Sequence, residues 1–227
     1  MRILYKFATR SRPEKFFACL DNICQEINDK ENYQILVSAD NDDPTMAWEN
    51  IRERCIKFEN QKIKICFGSS LNKIHAINRN IEVADNWDIL INTSDDMWFD
   101  VPGFDDIIRQ DMITNFPDLD GVLHYNDGNQ KANVMTLSIM GRKYYDRFHY
   151  IYHPHYKSLW SDCEATEVAK LLGKYKYMGD ETILFRHLHP AWGLAPSDEQ
   201  YRKTEAPELW RHDENVYRKR KAFNFYL

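Results

Sequence analysis

What most constrains this chain is an alternation, repeated four times, of short β-type runs with stretches of helical period. "ILYKFAT" (3–9) reads as a strand. Pro13 then opens a helix in which Phe16, Phe17, Leu20, Ile23, Cys24 and Ile27 recur at i, i+3, i+4 and i+7. "YQILVSA" (33–39) is a second strand, "NDDPTMAWENIRERCIKF" a loop running into a helix, and "KIKICFG" (62–68) a third strand. A helix around residues 72–85 leads to the fourth, "WDILINT" (87–93). Strands separated by helices in regular succession predict βαβ units, a largely parallel sheet and the α/β class. Downstream the pattern changes. "DGVLHYND" (120–127) and "ANVMTLSIMG" read as two strands joined by the turn-rich "DGNQK", which predicts antiparallel pairing. An aromatic stretch (142–160), a helix at "SDCEATEVAKLLGK" and a strand-like "TILFRHLHPAWG" follow.

A chain of 227 residues with 43% hydrophobic content fills one sizeable core, so a single compact domain is expected over residues 1–200, followed by a polar tail, 201–227. That tail carries seven Lys or Arg against four acids and includes "YRKRK", a candidate contact for an anionic partner. The net charge of −5 and a pI near 5.9 argue against a general nucleic-acid coat. Runs such as Ile89-Leu90-Ile91 fall far short of the roughly 20 apolar residues of a membrane span. The N-terminus reads as a first strand, not a signal. Cys19, Cys24, Cys55, Cys66 and Cys163 lack metal-ligand spacing and fit reduced thiols. A cytoplasmic location, or a peripheral one at a membrane surface, is expected.

In open α/β sheets, ligands bind at the carboxyl ends of the strands. Three such ends carry charge here: Arg10 and Arg12 after the first strand, Asp40, Asp42 and Asp43 after the second, and Asp95 and Asp96 in "TSDDMWF" after the fourth. Each alone is an ordinary turn. Together on one edge, carboxylates repel unless a cation lies between them. The Met, Trp and Phe that follow are expected to be exposed. The next helix, in "VPGFDDIIRQDM", has its own start signals in Asp100 and Pro102.

The stretch "KIHAINRNIEVADNWDILINTSDDMWF" (73–99), with Ala76, Asn78, Asp95 and Asp96, resembles the GT-A-fold nucleotide-sugar glycosyltransferases, in particular the family-2-like inverting members. The resemblance covers roughly residues 1–195 by order of elements. It departs from the family at Thr93, where many members have an Asp. It implies a GT-A (nucleotide-diphospho-sugar transferase) fold: a mixed, mostly parallel central sheet flanked by helices. Residues 1–118 would be the nucleotide-binding half and 119–200 the acceptor-binding half.

The resemblance also implies a metal-dependent transfer of a sugar, with inversion, from a nucleoside-diphosphate sugar to a hydroxyl acceptor. That acceptor would be a glycan, lipid-linked glycan, protein or modified nucleobase. Nucleotide contacts would come from Thr9, Arg10, Arg12, Asp40, Lys73, Asn78 and Asp95. A divalent metal, Mn²⁺ or Mg²⁺, would sit on Asp95 and Asp96 with His187 or His189, which lie two apart and so share a strand face. Asp162 would take the proton from the attacking hydroxyl, with Glu164 as second choice. Ser161 and Glu164 otherwise spell an S-x-x-E capping box. Tyr144, Tyr145, Tyr150, Tyr152, Tyr156 and Trp160 would shape an acceptor wall or fill the core. Two alternatives stand: a non-catalytic nucleotide- or sugar-binding module of the same fold, and a nucleotidyltransferase, although "TRSRPEKF" lacks that class's glycines.

Overall fold

The alternating half of the chain folds as its pattern dictates. In the computed structural model, which describes residues 1–227, it forms β1 (Ile3–Thr9), α1 (Pro13–Glu26), β2 (Tyr33–Asp40), α2 (Trp48–Ile56), β3 (Ile63–Gly68), α3 (Lys73–Asn78) and β4 (Ile89–Thr93). Then follow β5 (Met97–Phe99), α4 (Phe104–Asn115), β6 (Val122–His124), β7 (Ile139–Gly141), the single turn α5 (Arg142–Tyr145) and α6 (Ser161–Leu171). β8 (Tyr175–Tyr177), β9 (Phe185–His187), α7 (Glu199–Thr204) and α8 (Pro207–Lys221) complete the chain. Seven strands form one sheet in the order β3-β2-β1-β4-β7-β6-β8. The four strands of the alternating half pair in parallel. β7 is antiparallel to β4 and β6, and β8 closes the sheet parallel to β6. β5 and β9 pair separately as a small antiparallel ribbon.

Strand periodicity assigns the faces of this sheet. Ile3, Tyr5, Phe7, Ile35, Val37, Ile89 and Ile91 join α1 (Phe16, Leu20, Ile23) and α4 (Phe104, Ile108, Met112) in one core. The intervening Leu4, Leu36 and Leu90 join Val122, Met140, α3 (Ile74, Ile77), α6 (Val168) and α8 (Tyr217) in the other. Both faces are covered, as a parallel sheet requires.

Four local expectations change. The helix expected over 72–85 stops at Asn78: Arg79 is extended, Asn80 is left-handed at φ 71°, and a short 3₁₀ turn follows at 81–83. Arg79 leaves the helix to bond the Ala39 carbonyl at 2.6 Å and the Asp40 carboxylate at 3.3 Å. Met97 and Phe99 are buried, not exposed. The Asn22 side chain pairs with both the N–H and the C=O of Phe99 at 2.8 Å, tying β5 to α1. α4 starts after left-handed Gly103 (φ 72°) with no side-chain cap, because Asp100 is drawn away by Arg186 at 2.5 Å.

The last correction is the largest: residues 201–227 are an integral part of the fold. Leu209, Asp213, Val216, Tyr217 and Arg220 line one face of α8, opened by Pro207. Asp213 is fully buried, and its carboxylate accepts the backbone N–H groups of Lys157 (3.0 Å), Ser158 (2.8 Å) and Leu159 (2.8 Å). The basic run is largely neutralised within the protein: Arg218 pairs with Glu214, Arg220 with Glu164 and Lys221 with Glu167.

Two predictions follow from this packing. Asp213→Ala strands those three N–H groups, and urea unfolding should register a loss of roughly 3 kcal/mol or more; a loss below about 1 kcal/mol would contradict the role given to Asp213. Lys6 is buried on β1, donating to the Phe7 carbonyl (2.9 Å), the Ser38 hydroxyl (2.7 Å) and the Ala76 carbonyl (3.3 Å), all of them uncharged. Burial, with Arg79 adding repulsion, pulls its ammonium down to about 7. The unfolded chain holds this proton up to the ordinary value of 10.5, so stability should climb with pH between about 7 and 10.5. Lys6→Met should flatten that climb; an unchanged slope would show that Lys6 does not cause it.

Candidate functional site

Because β1, β2 and β4 are parallel, their carboxyl ends open on one edge, where the protein forms a cleft of about 940 Å³. Thr9, Asp40 and the turn Thr93–Asp96 form its floor. Lys73 at the start of α3, Asp162 in the first turn of α6, His187, His189 and Tyr201 of α7 stand in its walls. Buried polar atoms without a partner concentrate on residues lining it: Thr9 Oγ1, Arg12 Nε, Ser70 Oγ, Asn92 Oδ1, Thr93 Oγ1 and His187 Nδ1. Such atoms are rare in folded proteins, and most of those in this protein gather along this one edge.

At its centre the paired carboxylates diverge. Asp96 faces β9: donor atoms of Asp96, His187 and His189 all lie within 4.8 Å of one another. His187 Nε2 is 3.5 Å from Asp96 Oδ2, and the two imidazole rings are 5.0 Å apart. One carboxylate with two imidazoles is a donor set suited to a first-row divalent cation. Tyr201 donates its hydroxyl to Asp96 Oδ2 at 2.7 Å, Ser94 donates to Oδ1, and His189 Nε2 meets Glu205 at 2.7 Å. Burial disfavours charge on Asp96, but His187 and the Ser94 and Tyr201 hydroxyls outweigh it and hold the carboxyl well below the usual range. Burial likewise opposes charge on His187, yet flanking Asp127 and Asp96 raise it to about 9.

Asp95 turns the other way. Its carboxylate meets Arg12 at 3.2 Å, while burial and neighbouring Asp96 push it up to about 6 against that pairing. Arg12 is held on three sides, by Asp95, by Asp198 at 2.8 Å and by the Tyr201 ring, 3.7 Å below its guanidinium carbon. At the end of β2, Asp40 pairs with Arg10 (2.9 Å) and Arg79 (3.3 Å), and Arg10 also forks onto Asp42.

Of the residues singled out from sequence, the cleft brings together Thr9, Arg10, Arg12, Asp40, Lys73, Asp95, Asp96, Asp162, His187 and His189. Asn78 and Glu164 stand apart from it. Asn78 donates to the Tyr152 carbonyl (2.6 Å) and accepts from the N–H of Ile151 (2.9 Å), latching α3 to that loop. Glu164 is buried, takes a bidentate contact from Arg220 and accepts the Tyr156 hydroxyl at 2.7 Å. The capping box therefore does not form: the residue before α6 is Trp160, left-handed at φ 62°, and no side chain caps the helix. Asp162 remains on the cleft wall, one oxygen accepting the Cys163 N–H at 2.9 Å. Tyr144, Tyr145, Tyr152 and Tyr156 are buried in the core, and of these four Tyr152 also lines the cleft.

Sequence reasoning missed Asp127, Asp198, Tyr201 and Glu205, all of which touch the central groups. A signal for part of this was present: Asp198 caps α7 by accepting the Tyr201 N–H at 2.9 Å, and Pro207 marks the next helix start.

No protein-family model matches the chain, and no curated protein matches it. Solved structures do. The mannosyltransferase PcManGT from Pyrobaculum calidifontis, in complex with GDP-Man and Mn²⁺, superimposes with a TM-score of 0.70 over 96% of this chain and 64% of its own, at 13% identity. The fold is GT-A-like. S. aureus TarS 1-349 in complex with UDP-GlcNAc matches 82% of this chain and 58% of its own, with a TM-score of 0.60 and 14% identity. The 4-diphosphocytidyl-2C-methyl-D-erythritolsynthase from Anaerococcus prevotii matches at 0.54 over 95% of this chain and 96% of its own, with 8% identity. This chain thus spans less than two thirds of the first two proteins. At such identities the likeness establishes the fold. No helix is long and apolar enough to cross a membrane.

If Asp96, His187 and His189 hold one cation, Asp96→Asn, His187→Ala and His189→Ala should each weaken Mn²⁺ binding at least about tenfold, while His155→Ala, outside the cleft, should leave it unchanged. Electron paramagnetic resonance of free Mn²⁺ reads this directly; equal affinity across all four variants would remove the cluster as a metal site.

Proposed function

We propose that this protein is a metal-dependent glycosyltransferase that moves a sugar from a nucleoside-diphosphate sugar to a hydroxyl acceptor, with inversion at the anomeric carbon. One observation carries the reading: Asp96, His187 and His189 converge at the carboxyl edge of a GT-A-like sheet, inside a cleft whose buried polar atoms lack partners. The two nitrogen donors favour Mn²⁺ over Mg²⁺, which prefers oxygen ligands and retains its waters. A cation held there would neutralise charge on the departing diphosphate as the glycosidic bond breaks.

The remaining roles belong to the chain itself. Arg12 is fixed by Asp95, Asp198 and Tyr201, and its unpartnered Nε is a donor for a phosphate oxygen. Lys73 adds a second positive charge at the rim. Asp40, braced by Arg10 and Arg79, and Thr9, with a free hydroxyl, supply acceptors and a donor for ribose and base. Asp162 takes the acceptor's hydroxyl proton as that oxygen attacks the anomeric carbon from the side opposite the leaving diphosphate. Trp192 and Trp210, both exposed and lining the cleft, offer faces on which an acceptor sugar stacks.

Thermal unfolding with UDP, GDP, CDP and dTDP, each with and without Mn²⁺, tests the donor site. One nucleotide should stabilise the protein only with metal, by about 2.7 kcal/mol at 100 times its dissociation constant. No shift with any of them would remove the nucleotide-sugar reading. Asp162→Asn should keep that shift yet lose about 10²–10⁴-fold in turnover with the active donor and acceptor; wild-type turnover would dismiss Asp162 as the base.

A further inference from the structure

His187 is gripped from behind by the loop 126–130. Its backbone N–H donates to the Asp127 carbonyl at 3.1 Å, and its carbonyl accepts from the Asn129 side chain at 3.2 Å. These two contacts fix the last residue of β9 from both sides. The ring is then aimed with Nε2 toward Asp96, at 3.5 Å, and Nδ1 toward Asp127 Oδ2, at 3.8 Å. Nδ1 is buried and has no hydrogen-bond partner, so the ring points a polar atom at a carboxylate it does not yet touch.

Asp127 is itself almost wholly buried, and its two oxygens divide the work. Oδ1 accepts the N–H groups of Asn129 (2.8 Å) and Gln130 (2.6 Å), a turn that any acceptor at this position would hold. Oδ2 accepts only the Thr136 hydroxyl, at 2.8 Å, and keeps lone-pair capacity on the side of His187. A turn needs an acceptor at Oδ1 alone. Oδ2 is left over from that turn, is shared only with Thr136, and faces the His187 ring.

We infer that Asp127 is a positioning residue for the metal centre: it accepts the His187 Nδ1 proton, fixing the tautomer in which Nε2 carries the free lone pair toward Asp96. The inference rests on reading Asp96, His187 and His189 as the metal donors. Metal-binding histidines generally donate their second ring N–H to an acceptor of this kind, and loss of that acceptor typically costs about 10–100-fold in metal affinity. Asp127 Oδ2, at 3.8 Å, is the carboxylate oxygen facing His187 Nδ1, which no side chain hydrogen-bonds.

Asp127→Asn isolates the role, because the amide oxygen preserves the turn while the amide nitrogen places a donor where Oδ2 stood. Mn²⁺ titration followed by electron paramagnetic resonance should show about 10–100-fold weaker binding than wild type. In a His187→Ala background the same change should add nothing. A merely structural role would weaken both backgrounds alike, and that result, or unchanged affinity in Asp127→Asn, would overturn the inference. A second measurement needs no variant: ¹⁵N spectra of the wild-type protein loaded with Zn²⁺ should show His187 protonated at Nδ1 and ligated at Nε2, and ligation through Nδ1 would overturn it. Failure of the wild type to bind either cation would instead overturn the metal reading of the cluster, and this inference with it.

Discussion

The cleft depends on Asp96. Its backbone carbonyl accepts the Leu188 N–H at 2.8 Å, which pins the segment after β9 to the turn after β4. Its side chain then gathers Ser94, Tyr201 and His187. One residue thereby joins the parallel half of the sheet, the β5–β9 ribbon and α7. A carboxylate with so little exposure is tolerated because the Ser94 and Tyr201 hydroxyls donate to it and the His187 imidazole lies beside it. Removing its negative charge would leave Tyr201 and His187 facing a weaker acceptor, so the cleft's geometry and its electrostatics have the same origin.

Asp95, one residue earlier, has the opposite fate and so completes the edge. The turn after β4 directs it to Arg12, and Arg12 in turn reaches Asp198 and lies over Tyr201. Two adjacent carboxylates are thus separated into different environments, one beside imidazoles and one beside a guanidinium. Burial and mutual repulsion raise Asp95, whereas the imidazole and hydroxyl donors depress Asp96. The loop 126–130 repeats the same logic one layer out, holding His187 by its backbone and facing its ring with a carboxylate.

Much of the fold was legible along the chain. The four parallel strands and α1 followed from apolar period, and the antiparallel turn of the sheet from the strands flanking "DGNQK". Local signals failed where a distant partner offered more. Ser161 and Glu164 have capping-box spacing, but Arg220, 56 residues away, takes both Glu164 oxygens. Asp100 resembles a helix start and instead pairs with Arg186, 86 residues away. Met97 and Phe99 resemble a surface patch until β9 and α1 cover them.

The sequence by itself determined which residues could reach one edge of the sheet. Strands of period two that run parallel must end together, so charges placed after β1, β2 and β4 had to converge. Only the tertiary structure decided which of those charges meet. Tyr201 finds Asp96 across 105 residues and Arg12 finds Asp198 across 186, contacts that no local pattern encodes. The physical reason is that a hydrogen bond is specified within tenths of an ångström, whereas hydrophobic periodicity fixes only the face on which a side chain lies. The face was written in the spacing, and the partner was selected by how α7, α8 and β9 pack against it.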